Sequence, residues 1–193
     1  MKKDIILFGI QGSGKGTQAD LLLEKMWEYQ YFEPGNILRA LKSNDNVLWE
    51  HIRDSIKEGK MVDDAVVFGL FDIYLHLLED DQYMLVDGFL RTENQLYYFL
   101  NEMYVNKRDF IGVYFDFPKA KAIERLLARA KKEWREDDNI KSIETRLDIY
   151  QKQTLPVIEY LKTKGKLIVV DAESGIENVF ADMISKLKEK DLL

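Results

Sequence analysis

The residues with the clearest chemistry lie at positions 9–17, in the sequence Gly-Ile-Gln-Gly-Ser-Gly-Lys-Gly-Thr. An apolar run at 5–8, typical of a strand buried on both faces, precedes them, and apolar residues at helical spacing follow at 18–29. Glycines between a strand and a helix let backbone N–H groups point at an anion, and the helix N-terminus adds partial positive charge. The stretch therefore predicts a phosphate-binding loop, in which Lys15 can reach the outer phosphates. The predicted binding residues are Gly12, Ser13, Gly14, Lys15, Gly16 and Thr17.

The loop departs from the common phosphate-binding pattern at one position. That pattern has Ser or Thr directly after the lysine, where the hydroxyl ligates Mg²⁺, whereas here Gly16 separates Lys15 from Thr17. A metal ion would therefore be held mainly by nucleotide phosphates and by water. Asp87 follows a second buried run at 83–86 and is the candidate carboxylate that orients Mg²⁺ through water, with no direct protein ligand expected.

Apolar, strand-like runs alternate with amphipathic helical stretches along the whole chain. Five of these runs are predicted strands: 4–8, 30–32, 83–86, 110–115 and 166–170. The alternation predicts an α/β fold of the P-loop type, in which helices cover both faces of a parallel five-stranded sheet. Ligands bind such sheets at the carboxyl ends of the strands. With 193 residues and no repeat or linker, the chain is expected to form a single domain, with small inserted lobes at most.

Composition and charge argue against several classes of protein. The chain has no cysteine, so it forms neither a disulfide nor a thiolate metal site, which fits a reducing compartment. Its net charge of −6 argues against a general nucleic-acid-binding protein. The first apolar run is short and interrupted by glycines, so neither a signal peptide nor a membrane span is expected. An anionic ligand would consequently need a local cluster of positive charge.

Three further stretches contain groups suited to phosphates. At 34–39, Pro-Gly-Asn-Ile-Leu-Arg opens a predicted helix, which would bring Arg39 close to an anion. Arg91 lies a turn beyond Asp87 and can make a bidentate contact to phosphate. Basic residues at 125–146 could close over a site that carries several phosphates. Taken alone, each stretch also fits an ordinary capped helix, turn or charged helical hairpin.

Together these motifs resemble the adenylate kinases and their nucleoside monophosphate kinase relatives. The phosphate loop is similar to that of the family, and Asp-Gly-Phe-Leu-Arg-Thr at 87–92 is similar to the family's Asp-Gly-Phe-Pro-Arg-Thr. Leu90 stands where the family has proline, commonly with a cis peptide bond. Because a cis bond before leucine would cost about 2.5–4 kcal/mol, a trans turn is expected here. The resemblance runs from the phosphate loop to the C-terminal helix.

The resemblance implies a binding site for AMP. In the family, residues matching Gly35 and Arg39 contact the nucleobase and the monophosphate, and the segment matching Met61 and Val62 lines the ribose and base. Gln95 matches a glutamine that reads the Watson–Crick edge of adenine, where pyrimidine-specific relatives tend to carry asparagine. The complete implied set is Gly35, Arg39, Met61, Val62, Gly88, Arg91, Gln95, Arg135 and Arg146.

The arginines from 125 to 146 resemble the lid of short-lid adenylate kinases. In that comparison Arg125 packs on the adenine of ATP, so it joins the phosphate loop in the implied ATP site. Three more arginines, at 129, 135 and 146, are implied to contact phosphates. The residues implied to act in catalysis are Lys15, Arg91, Arg129, Arg135 and Arg146.

The predicted activity is that of an adenylate kinase, in which MgATP and AMP are converted reversibly into two ADP. A lobe that binds the nucleoside monophosphate (NMP), at about 34–62, and a short lid, at about 130–138, would close over the substrates. A cytoplasmic monomer is expected, with ATP, AMP and ADP as its partners and without nucleic acid or membrane. Glu33, Pro34, Asn36 and Leu90 depart from the family pattern, so a related kinase for UMP, CMP or GMP stays open. A nucleotide-binding regulator without turnover is the alternative of a different class.

Overall fold

A computed structural model describes residues 2–41, 46–133 and 139–192. The strands are β1 (Asp4–Gly9), β2 (Tyr29–Phe32), β3 (Tyr83–Asp87), β4 (Phe110–Asp116) and β5 (Leu167–Asp171). They form one parallel sheet in the order β2-β3-β1-β4-β5. Each strand differs from its predicted range by at most one residue at either end. The predicted α/β fold with a parallel five-stranded sheet is therefore confirmed.

Helices join the strands and cover the sheet. They are α1 (Lys15–Leu23), α2 (Pro34–Ala40), α3 (Val47–Glu58), α4 (Asp64–Leu77), α5 (Glu93–Val105), α6 (Lys119–Glu133), α7 (Ile140–Ile149), α8 (Leu155–Thr163) and α9 (Ile176–Glu189). Residues 4–8 of β1 are each at most 2% exposed, which means that both faces of the sheet are covered. Within the described residues, none of these helices combines the length and the apolar character needed to cross a membrane.

Helix α1 is shorter than the apolar spacing at 18–29 predicts. The helix ends at Leu23, and the N–H group of Met26 then donates to the carbonyl of Leu22 in a turn. The chain has to change direction there because Tyr29 already belongs to β2. Met26 still packs against the core, but it does so from the turn, so its helical spacing is misleading.

The sequence predicts that Pro156 kinks a long helix at 140–162. In the structure a π-helical turn at Tyr150–Thr154 separates α7 from α8, directly before the turn that contains the proline. Pro156 has no N–H group to donate to a carbonyl one turn earlier, and the widened turn accommodates that loss. Thr154 is buried in this turn, and its hydroxyl donates to the backbone carbonyl of Arg91 at 3.1 Å. The irregular turn thus supports the segment that follows β3.

A second, smaller core lies beside the main one. Leu38 of α2 packs there with Trp49 and Ile52 of α3, and all three side chains are buried. Val62 packs against both the small core and the main core, so it links the two. This arrangement packs α3 against α2, which begins two residues after the end of β2.

The end of α3 requires glycine at position 59. Gly59 has φ +70°, and a Cβ atom there would lie 2.5 Å from the backbone oxygen of Ser142 in α7. We expect Gly59→Ala to lower the free energy of unfolding by at least about 1–2 kcal/mol, measured by urea denaturation. The control is Gly69→Ala in α4, where a Cβ atom meets nothing within 4 Å. That change should raise stability by about 0.5–1 kcal/mol, and equal effects of the two substitutions would contradict the account.

Candidate active site

A cleft of about 760 Å³ opens where the carboxyl ends of the strands meet. All sequence-predicted site residues line it except Arg135, which lies outside the described residues. The residues brought together are Gly12, Ser13, Gly14, Lys15, Gly16, Thr17, Gly35, Arg39, Met61, Val62, Asp87, Gly88, Arg91, Gln95, Arg125, Arg129 and Arg146. Among the described lining residues, cationic side chains outnumber carboxylates seven to three. The cleft is therefore suited to an anionic ligand.

The phosphate loop, residues 9–17, is shaped for an anion. Gly14 caps α1 with φ +98°, in the left-handed region that glycine adopts readily. The first turn of α1 then directs N–H groups without intrahelical acceptors toward the cleft. Lys15 folds back over the loop, and its Nζ donates to the carbonyl oxygen of Gly9 at 2.9 Å. The hydroxyl of Ser13 is buried and has no hydrogen-bond partner among the described residues.

Lys15 and Asp87 carry opposite charges and attract each other in a buried, poorly solvated part of the cleft. Burial lowers the pKa of the Lys15 ammonium, and attraction to Asp87 offsets part of that effect. Burial likewise raises the pKa of the Asp87 carboxyl, and attraction to Lys15 offsets part of it. Repulsion from Arg91 and Arg129 lowers the pKa of Lys15 further. A bound polyphosphate would favour the charged ammonium and reverse this shift.

Tyr31 links the ends of β2 and β3. Its hydroxyl lies 3.0 Å from Oε2 of Glu33 and 3.4 Å from Oδ2 of Asp87, and it can donate its one proton to either carboxylate. Burial, followed by the two carboxylates, raises the pKa of Tyr31 well above its ordinary value, so the phenol stays neutral and remains a donor. The hydroxyl thereby holds two carboxylates side by side that would otherwise repel each other.

Glu33 organises the start of α2. Its Oε1 accepts from Nη2 of Arg39 at 2.9 Å, and its Oε2 accepts from Nδ2 of Asn36 at 2.6 Å. Arg39 also donates to Oδ1 of Asn36. The guanidinium of Arg39 thus has a carboxylate partner in the free protein, and an incoming anion would compete with Glu33 for it.

The segment after β3 is anchored by apolar side chains. Phe89 and Leu90 are buried, with 2% and 0% exposure. As the sequence predicts, the turn has no cis bond, and no described residue has one. Leu90 instead takes φ +55°, a left-handed conformation that costs an L-residue about 1–2 kcal/mol and that its complete burial offsets. The anchored turn directs Arg91 into the cleft.

Arg91 lies among other cations. Burial lowers its pKa, and repulsion from Arg146 and Arg39 adds to that, while Asp87 acts in the opposite direction. A side chain at Gly88 would come within 2.8 Å of the Arg91 guanidinium, so the turn is closely fitted around it. The group is therefore fixed in a position where a multiply charged anion would relieve repulsion.

Gln95 is buried at the cleft, with 1% exposure. Its Oε1 accepts from the backbone N–H of Arg91 at 2.9 Å, and its Nε2 donates to Oδ1 of Asp64 at 2.9 Å. The resemblance implies a base-reading role for this side chain, and in the structure both ends of its amide have protein partners.

Arg125 lies over the aromatic ring of Phe117, with its Cζ atom 4.0 Å from the ring centroid. Its Nη1 donates to the carbonyl of Gly12 at 3.3 Å, which holds the guanidinium at the phosphate loop. Arg146 donates from Nε to the carbonyl of Ser142 at 3.3 Å. The Arg125 guanidinium, a planar cation held next to the phosphate loop, can stack on an aromatic ligand.

Sequence reasoning missed Tyr31 and Asp64, and it treated Glu33 only as a departure from the family pattern. Tyr31 and Glu33 lie on either side of Phe32, the last residue of β2, and a parallel sheet places that strand end at the ligand-binding edge. That position was the available signal for both. Nothing in the sequence indicated Asp64, because its contact to Gln95 joins residues 31 positions apart.

The described residues contain no group of three or more histidine or acidic side chains that could hold a metal ion. The buried carboxylate of Asp87 stands beside the phosphate loop without such a group. This donor set fits a cation that arrives with the ligand's phosphates and contacts the protein through water.

Comparison with known proteins agrees with the geometry. The family described as "Adenylate kinase" matches residues 7–166. The adenylate kinase of Prochlorococcus marinus (strain MIT 9301) is 32% identical over 190 residues, which cover 97% of this chain and 100% of that protein. The uridylate kinase of Schizosaccharomyces pombe is 34% identical over 188 residues, covering 95% and 96%, and that of Saccharomyces cerevisiae is 33% identical, covering 96% and 90%. With its phosphate loop, its parallel sheet and a match over most of its length, the chain belongs to the adenylate kinase family.

Proposed function

We propose that this chain catalyses phosphoryl transfer from MgATP to AMP, which gives two ADP in a reversible reaction. The observation that supports this most is the continuity of the cleft. The phosphate loop lines one part of it, and Gly35, Arg39 and Gln95 line another. Arg91 lies within electrostatic range of both Lys15 and Arg39. One cavity can thus hold two nucleotides with their phosphates facing the same cations.

The donor would bind at the phosphate loop. Residues 12–17 would hold its phosphates through backbone N–H groups and the Lys15 ammonium. Arg125 has one face of its guanidinium on Phe117, and its opposite face could carry the adenine of ATP. Mg²⁺ would arrive with the donor's phosphates, and Asp87 would contact it through water, where the metal would neutralise phosphate charge.

The acceptor would bind between α2 and the segment after β3. Arg39, Arg91 and Arg146 would hold its phosphate, with Arg135 as a further candidate. Gly35, Met61, Val62 and Gly88 would surround its ribose and base. Gln95 would read the edge of the adenine, because an amide can donate to N1 and accept from N6 at once. Arg39 would exchange its Glu33 partner for the phosphate.

No side chain needs to act as a nucleophile in this reaction. Catalysis would come from holding the two nucleotides in line and neutralising the charge that moves between them. Lys15, Arg91, Arg129, Arg135 and Arg146 are the candidates for that role. The NMP-binding lobe at about 34–62 and the lid at about 130–138 would close to exclude water. We further propose a monomeric, cytoplasmic enzyme with small-molecule nucleotides as its partners.

A second candidate is transfer to UMP. It is favoured by the two uridylate kinases, which match this chain as well as the adenylate kinases do. Pro34 also has neither a hydroxyl nor an N–H group with which to contact a base. The fold, the donor site and the cations would then serve the same chemistry on another acceptor.

The acceptor is identified by ADP formation from MgATP with AMP, UMP, CMP and GMP offered separately, and with no acceptor as a control. We expect kcat/KM for AMP to exceed that of each other nucleotide at least about tenfold, because the other bases cannot make the bidentate contact that the Gln95 amide would make to the edge of adenine. A preference for UMP would replace the proposal with the second candidate, and a preference for CMP or GMP would contradict both. Binding of ATP and AMP without transfer to any acceptor would favour a regulator.

Lys15→Met separates the catalytic role of the lysine from its effect on the fold. Turnover should fall at least about a hundredfold, since a cation at the moving charge is removed. The free protein should become more stable at pH 7, because the Lys15 pKa lies below its ordinary value of 10.5 and the charged ammonium is therefore disfavoured in the fold.

The pH dependence of that stabilisation follows from the same shift. Wild-type stability contains a penalty for protonated Lys15 that fades as pH rises toward 10.5. The difference in melting temperature between Lys15→Met and wild type should therefore be positive at pH 7 and smaller at pH 10. A less stable variant at pH 7, or near-normal turnover by the folded variant, would contradict the assignment.

A further inference from the structure

We infer that Asp64 is a positioning residue that fixes the orientation of the Gln95 amide and so makes the acceptor site prefer a base edge with an amino group over one with an oxo group. The inference rests on the proposed function, because it assumes that Gln95 faces the acceptor's base. It concerns which way round the amide reads that base.

The amide of Gln95 is held at both ends by groups that allow one orientation only. The carboxylate oxygen Oδ1 of Asp64 can only accept, and it faces Nε2 at 2.9 Å. The backbone N–H of Arg91 can only donate, and it faces Oε1 at 2.9 Å. Exchanging the amide oxygen and nitrogen would place oxygen against oxygen and N–H against N–H. The chemistry of its two neighbours therefore determines the orientation.

The surrounding helices hold this pair in place. The Thr92 side chain caps α5 by accepting from the N–H of Gln95 at 3.2 Å, and Asp63 caps α4 by accepting from the N–H of Ala65 at 2.8 Å. About one turn further along, Phe68 and Tyr98 stack with ring centroids 3.8 Å apart and join the two helices. The contact between Asp64 and Gln95 is thus built into the packing of α4 on α5, which makes the amide rigid before a ligand arrives.

The amide keeps binding capacity after these contacts. A primary amide has two N–H groups and two acceptor lone pairs, and the protein uses one of each. One donor and one acceptor are left for a ligand. Gln95 lines the cleft together with Val62, Val67 and Leu38, whose apolar side chains suit the faces of a planar base.

An amide with a fixed orientation can distinguish bases by the order in which their edges present a donor and an acceptor. Adenine presents a ring acceptor, N1, beside an amino donor, N6, whereas hypoxanthine presents N1–H beside the acceptor O6. A phosphate held by Arg39 and Arg91 would fix the direction from which the base enters the cleft. An amide that cannot exchange the positions of its oxygen and nitrogen matches one order of donor and acceptor on the base. The opposite order leaves buried polar groups unpaired. AMP and IMP, which differ in this edge, are the natural test pair.

The test is Asp64→Asn, since asparagine is nearly isosteric with aspartate but can donate as well as accept. At position 64 asparagine would accept from Nε2 or donate to Oε1 of Gln95, so only the Arg91 N–H would still fix the amide, and the preference for AMP over IMP should fall about tenfold. We would measure kcat/KM for AMP and IMP with MgATP, and dissociation constants for both nucleotides by calorimetry without ATP. The KM for ATP should stay unchanged. Asp63→Asn is the matched control, because asparagine also caps a helix and the AMP preference should not move.

A double-mutant cycle with Gln95→Ala separates positioning from a general structural effect. Once Gln95 is absent, adding Asp64→Asn should cause no further loss of preference. The inference is overturned if Asp64→Asn weakens AMP and IMP by the same factor, if it leaves their ratio unchanged, or if its effect persists without Gln95.

Failure of the proposed function would look different. If the wild type transferred no phosphoryl group to AMP, the proposed function would fall. The dissociation constants for AMP and IMP would still report on the orientation of the amide, so the inference would stand or fall on their ratio in wild type and Asp64→Asn.

Discussion

The repulsion among cations gathered at one edge of the sheet is the constraint on which the rest of the structure depends. Lys15 and Arg91 have lowered pKa values because burial disfavours their charge and neighbouring cations repel it. Two carboxylates, Asp87 and Glu33, offset part of this in the free protein. A ligand with several phosphates supplies what the cleft lacks, so its binding stabilises the folded state and releases the strain of like charges.

The fold tolerates this because the site is attached to its most completely buried parts. The phosphate loop continues directly from β1, in which residues 4–8 are at most 2% exposed. Arg91 follows Phe89 and Leu90, which are buried in the core. The hydroxyl of Thr154 donates a hydrogen bond to the Arg91 carbonyl. Apolar burial of this kind contributes about 1.5–3 kcal/mol per large side chain, which is enough to hold one strained residue and an unfavourable charge in place.

The sequence predicted what depends on local pattern and missed what depends on tertiary contact. Buried runs and a glycine-rich turn locate the strands, the phosphate loop and most of the cleft, because strand ends in a parallel sheet converge. The early end of α1 could not be predicted, since the apolar spacing through Met26 serves a turn as well as a helix. The π-helical turn before Pro156 was likewise beyond a pattern that indicates only a kink. Asp64 was invisible because its role depends on the packing of α4 against α5.

The central claim is that one cleft holds both nucleotides with their phosphates against the same cations. A calorimetric titration with two adenosines joined through their 5′ oxygens by five phosphates tests it most directly, with ATP and AMP as separate competitors. The account predicts that one molecule binds per chain and that either nucleotide alone weakens its binding. Two molecules per chain, or competition by only one of the two nucleotides, would contradict a single shared cleft.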